Sequence, residues 1–90
     1  MESIMTTEKG VCYICGRYGQ TEVHHVFHGT ANRKIADREG LTVNLCRACH
    51  ERVHRDAELN RNLEREAQEV WETKRGTRAE FMKLFGKNYR

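Results

Sequence analysis

Ninety residues, 38% hydrophobic and 32% charged with a formal charge of +3, are enough for one domain with a thin core but not for two independent cores. Chains of this size commonly need a staple: disulfides, a metal or a partner subunit. The mildly basic balance is far from that of a dedicated histone-like binder and does not by itself establish a nucleic-acid partner; no run of about eighteen apolar residues is present, which excludes a membrane-spanning helix.

Residues 1–11 carry two Glu and no long apolar run, matching neither a secretory signal nor an anchor. Residues 1–10 are expected as a flexible tail of a soluble, cytoplasmic protein. Residues 11–15, followed by Gly16, read as a short strand leading into a tight knuckle, where glycine lets the backbone curl around a bound ion. Thr21, Val23, Val26 and Phe27 mark a strand over 21–27, and Leu41, Val43 and Leu45 a second over 41–45, the two able to pair as a hairpin. The intervening residues 28–40 are long and polar for a hairpin loop, and such loops are usually functional.

From 47 to 75 there is neither Gly nor Pro, and Val53, Ala57, Leu63, Ala67, Val70 and Trp71 recur at helical spacing. That pattern predicts an amphipathic helix, which Asp56, Asn60 and Asn62 can divide in two. Lys74 and Arg75 followed by Gly76 form its end. Thr77 with Glu80 is a capping-box pattern ahead of Phe81, Met82, Leu84 and Phe85, a last short helix that docks its aromatics on the core. The fold class is α+β, with a core over 11–56 and helices over 57–90 packed on it. Trp71 and Phe81 suit either that core or a contact between copies, so the sequence leaves the oligomeric state open.

Cys12 and Cys15 form one C-x2-C pair and Cys46 and Cys49 another, with thirty residues between them. In a reducing compartment two close pairs point to metal ligation rather than disulfides. Four thiolates fit a closed tetrahedral zinc site whose task is folding. The separation exceeds that of the simplest zinc ribbons, leaving space for the hairpin and its loop.

Four of the five His form a second constellation: His24, His25, His50 and His54. On a helix starting near Cys46, His50 and His54 project from one face and can reach one ion. His24 and His25 are adjacent on a strand, where neighbours point to opposite faces. A local distortion would let one imidazole bind metal while the other stays free as a base.

These residues, Glu22-Val23-His24-His25 followed by Cys46-x2-Cys49-His50-x3-His54, resemble the HNH endonucleases of the ββα-metal fold, including small zinc-stapled phage versions and the colicin DNases. Gly29, Asn32 and Arg33 and the ending from Glu80 to Tyr89 also look like small phage or prophage HNH proteins. The resemblance implies a zinc-stapled ββα-metal domain with a C-terminal helical extension, in which His24, His50 and His54 are metal ligands and His25 is the general base. The family's central Asn stands nine residues before the first helix His, where this chain has Leu41. Asn32 and Asn44 are the candidates to replace it, and Asn32, within the loop, is the better placed to brace the base.

The activity so implied is metal-dependent hydrolysis of DNA by a phage or prophage enzyme acting in the host cytoplasm. It would use a structural Zn2+ on the cysteines and one catalytic divalent metal, Mg2+, Mn2+, Ni2+ or Zn2+; imidazole ligands favour zinc or nickel over magnesium. A neutral imidazole near pH 7 can take a proton from water. Phosphates would be met by Arg33, Lys34 and Arg47, with Arg17, Arg38 and the basic ending from Lys74 to Arg90 as further candidates. The competing reading is a DNA-binding or protein-binding adaptor whose histidines hold a second structural zinc. An adaptor has no need of a free His25.

Overall fold

Val43 and Leu45 are buried and alternate with half-buried Thr42 and Asn44, the period of two that a strand with one covered face requires. The computed structural model describes residues 3–5 and 7–90. This strand, β2 (Thr42–Leu45), pairs antiparallel with β1 (Glu22–His25) in the register Glu22↔Leu45, Val23↔Asn44, His24↔Val43 and His25↔Thr42. Opposed residues share a face. Glu22 and His24 therefore lie with buried Leu45 and Val43, and Val23 and His25 on the other side. The hairpin expected over 21–27 and 41–45 is present with shorter strands.

The stretch expected as a long polar loop is instead a helix, α1 (Thr30–Glu39), set between the strands. Its limits are glycines in conformations that L-residues rarely adopt, Gly29 at φ 93° and Gly40 at φ 75°. Leu41 N–H donates to the Ala36 carbonyl at 2.8 Å and Gly40 N–H to that of Asp37 at 3.4 Å, the Schellman arrangement with Leu41 buried behind it.

α2 (Arg47–Arg55) and α3 (Ala57–Lys74) are the two parts of the expected long helix. Asp56 divides them: it is extended, and its carboxylate accepts from the N–H groups of Glu58 and Leu59, both at 3.1 Å, as the N-cap of α3. α3 buries Leu63, Ala67 and Trp71, one side of successive turns. It also buries Gln68, whose amide donates to Glu72 and Asn88 and accepts from Tyr89 N–H, so its burial leaves little unpaired. α4 (Arg78–Phe85) begins with the reciprocal Thr77–Glu80 capping box and buries Phe81 and Phe85. Trp71 and Phe81 thus belong to the core of a single chain.

Two expectations at the N-terminal end are corrected. Residues 13–15 form a turn rather than the end of a strand, and Val11 makes only isolated bridges, to Glu8 and Tyr18. The expected flexible tail is tied down where it is described. Met5 is buried, Ile4 N–H donates to the Gly40 carbonyl at 2.8 Å, and the Ile4 carbonyl accepts from Lys74 at 2.8 Å. Residues 1, 2 and 6 lie outside the described residues. No helix among the described residues is long and apolar enough to cross a membrane.

Phe27, fully buried just after β1, stacks against Phe85 and Tyr89 at ring distances of 4.6 and 4.7 Å and against Phe81 at 5.6 Å. It joins the hairpin to α4. Phe27→Ala is expected to cost ~3–5 kcal/mol, read as a lower urea midpoint of the zinc-loaded protein, because this interlocked site cannot collapse around the lost ring.

Candidate metal centres and their cleft

The two C-x2-C pairs converge. Cys12, Cys15, Cys46 and Cys49 bring their sulfurs within 4.8 Å of one another, and Cys15 and Cys46 approach to 3.9 Å. The first pair sits in a turn closed by Cys12 N–H to the Arg17 carbonyl at 3.0 Å and Gly16 N–H to the Cys12 carbonyl at 2.9 Å. Tyr13 N–H bonds the Asn44 carbonyl at 2.8 Å, fastening this turn to β2 just before the second pair. Cys46 is the N-cap of α2 and Cys49 lies in its first turn.

Burial opposes ionisation of both inner thiols. At Cys12 the backbone N–H groups of Cys15, Cys46 and Ile14 outweigh it and the pKa falls; at Cys49 the neighbouring thiols add to it and the pKa rises. Four close sulfurs, one of them drawn toward ionisation, are a donor set that suits zinc, and these four cysteines could hold such an ion.

His24, His50 and His54 form a second group whose ring nitrogens lie within 4.8 Å of one another. Helical spacing puts His50 and His54 one turn apart on α2, and the register of β1 turns His24 toward them. His24 Nε2 is buried and finds no hydrogen-bond partner among the described residues. An orphaned buried nitrogen is costly unless a ligand takes it up, and an imidazole lone pair facing two others fits a metal ion. Burial first, then the neighbouring rings of His28, His50, His54 and His25, push the His24 pKa down to about 3, so the ring is neutral and its lone pair available.

His50 Nδ1 stands 2.8 Å from Glu22 Oε1. A carboxylate accepts, so the contact selects the Nδ1–H tautomer and leaves the Nε2 lone pair bare, the arrangement that supports a His able to take up a metal ion. The same hydrogen bond, helped by Arg47, holds the Glu22 carboxyl below its ordinary range.

A base whose folded pKa lies below its unfolded value binds fewer protons when folded. The stability from neutral His24 is therefore complete above about 6.5 and is lost as pH falls toward about 3. With zinc on the cysteines and no ion on the imidazoles, the urea midpoint is expected to fall between about pH 6.5 and pH 5, before most carboxylates titrate. His24→Leu should flatten that slope.

His25 lies outside the three-imidazole group and faces α1, with Nε2 3.4 Å from Asp37 Oδ1. No distortion of β1 is needed: its two faces meet two different helices, and the strand ends at His25. Both histidines line one open cleft of about 900 Å³. α1 contributes Thr30, Arg33, Lys34 and Asp37 to this cleft, the i, i+3, i+4, i+7 stripe of one helix face.

Arg33 and Lys34, the candidates for phosphate contact, therefore line the cleft. Asn32 does not: it is off the stripe, half-buried, and Asp37 holds the place beside His25. Asn44 is taken up in β2, and Leu41 is buried in the core. Arg47 is not at the cleft; it pairs with Glu22 at 3.2 Å and Glu51 at 4.0 Å. Much of the basic ending is also engaged within the chain, Arg78 and Arg90 with Glu72 and Lys74 with the Ile4 carbonyl.

Sequence reasoning missed Asp37, His28 and Asn60, and assigned Glu22 no role. A helical reading of 30–39 would have put Asp37 in line with Arg33. Compared with family models, curated proteins and solved structures, the chain matches none.

Proposed function

We propose that this chain is a metal-dependent endonuclease that hydrolyses DNA phosphodiester bonds, a zinc-stapled ββα-metal domain of the HNH kind, phage or prophage encoded. The observation that carries this reading is the division of labour at β1. His24 joins His50 and His54 in a group of three imidazoles, while its neighbour His25 stays out of that group yet opens on the same cleft. A purely structural site has no use for such a ring.

His24, His50 and His54 would hold one divalent ion, which, when bound, supplies charge stabilisation at the departing 3′ oxygen. His25 takes the proton of the attacking water, and the carboxylate of Asp37 steadies the imidazolium so formed. Arg33 and Lys34 hold phosphate oxygens at the cleft wall and read no base. The four cysteines fix the start of α2, and with it the spacing of His50 and His54 from β1. Zinc on these cysteines is a folding cofactor; Ni2+, Zn2+, Mn2+ or Mg2+ on the imidazoles is the working one.

The test is nicking of a supercoiled plasmid by zinc-loaded protein supplied with each of these metals, beside His25→Ala. Metal-dependent nicking that His25→Ala loses is the expected result. Equal activity in both proteins, or none with any metal, overturns it in favour of the adaptor. Metal analysis adds a second readout: one zinc resistant to mild chelation and one exchangeable ion are expected, where an adaptor would retain two zincs alike.

A further inference from the structure

We propose that His28 is a fourth, exchangeable imidazole of the second metal site, held ready by Asn60. The inference rests on the three-imidazole site described above and adds a ligand to it. His24, His50 and His54 have ring centroids 5.1 to 5.8 Å apart. The His28 ring lies 5.4 Å from His24 and 5.7 Å from His54, inside that same range. His28 thus stands beside two of the three rings of that group.

The tautomer of His28 suits the role. Its Nε2 stands 3.3 Å from the amide oxygen of Asn60 on α3. An amide oxygen only accepts, so the contact selects Nε2–H and leaves the Nδ1 lone pair free. Glu22 does the same for His50 with the opposite nitrogen. Two of the four rings therefore carry a hydrogen bond of the kind that sets the tautomer of metal-bound histidines.

His28 differs from the other three in how it is held. They stand on β1 and α2, whereas His28 is exposed in the connection between β1 and α1, directly after the locked Phe27 ring. Its nitrogens fall outside the 4.8 Å grouping of the other three, so ligation requires a turn about its own side-chain bonds that carries Nδ1 inward. A three-imidazole site leaves an ion with an open position. On metal binding His28 takes that position, and it yields it to a phosphate oxygen.

The experiment starts from protein with zinc on its cysteines and titrates a second equivalent of zinc, following the long-range 1H–15N correlations of all five imidazoles. Expected is a shift of His28 Nδ1 to the metal-bound position together with one nitrogen each of His24, His50 and His54, with His25 unmoved. His28→Ala and Asn60→Ala should each weaken the second zinc by about 10–100-fold, as loss of ligand-shell partners does. A thymidine dinucleotide should then return His28 Nδ1 to its free position while the other three stay bound.

If zinc moves the three rings and not His28, this inference fails and the proposed activity is untouched. If zinc moves no imidazole, both fail. If His28 stays bound at saturating dinucleotide, the exchange is refuted and the site is a closed structural one.

Discussion

Cys12→Ser is expected to abolish cooperative folding, where substitutions in the cleft spare it. The comparison of magnitudes decides this. Zinc on four thiolates contributes ~10–16 kcal/mol of apparent binding energy in small metal-stapled domains, against a net stability of about 5–15 kcal/mol for a whole domain. Forfeiting half of that contribution, about 5–8 kcal/mol, already reaches the lower end of the net stability. Cys12 is also the buried member whose thiol is pulled toward ionisation by three backbone N–H groups, and serine puts a neutral hydroxyl, a poor zinc ligand, in its place. The check is thermal unfolding followed by circular dichroism, with zinc content measured alongside. Cys12→Ser should lack a cooperative transition, and strong chelation of the unaltered chain should reproduce that. A folded Cys12→Ser protein without zinc would remove the metal from the account of stability.

His25→Ala is expected to lower plasmid nicking by roughly 10²–10⁴-fold, the usual worth of a positioned general base, with unfolding and metal content unchanged. The ring is half-buried, on the side of β1 away from the main core, and outside the metal group, so its loss opens no large cavity and removes no ligand. Asp37→Asn should have a far smaller effect. Its carboxylate is 67% exposed and stands 3.4 Å from the ring, and an exposed pair is worth at most about 1 kcal/mol, which is about fivefold in rate. A drop as large for Asp37→Asn as for His25→Ala would mean that the carboxylate itself is the proton acceptor.

Most of the frame was legible in the residues. The hairpin, the end of α3 and the capped α4 follow from alternation, from Gly76 after two cations and from Thr77 with Glu80. The convergence of the two candidate metal clusters was legible because each has a spacing that chemistry imposes, C-x2-C twice and His-x3-His on one helix face. α1 was not, since Ala36 is its one buried residue and the stripe that matters is polar, facing the cleft rather than the core. The packing of Met5 and Ile4 left no local signal either, because it depends on Gly40 and Lys74 far along the chain. Asp37, Asn60 and Glu22 escaped for the same reason: each supports a histidine on another element, and a single sequence carries no mark of who meets whom.

The placement of α1 has a consequence for how such a protein can diversify. Thr30–Glu39 forms a cassette, flanked by Gly29 and Gly40 and seated by Ala36 with Ile35 beside it, and it supplies none of the seven sulfur and nitrogen donors. Grafting ten other residues with that seat retained would recontour one bank of the channel and its charge while the sulfur and imidazole clusters kept their shape. What shapes the wall of the cleft and what gathers the candidate donors are lodged in separate stretches of polypeptide.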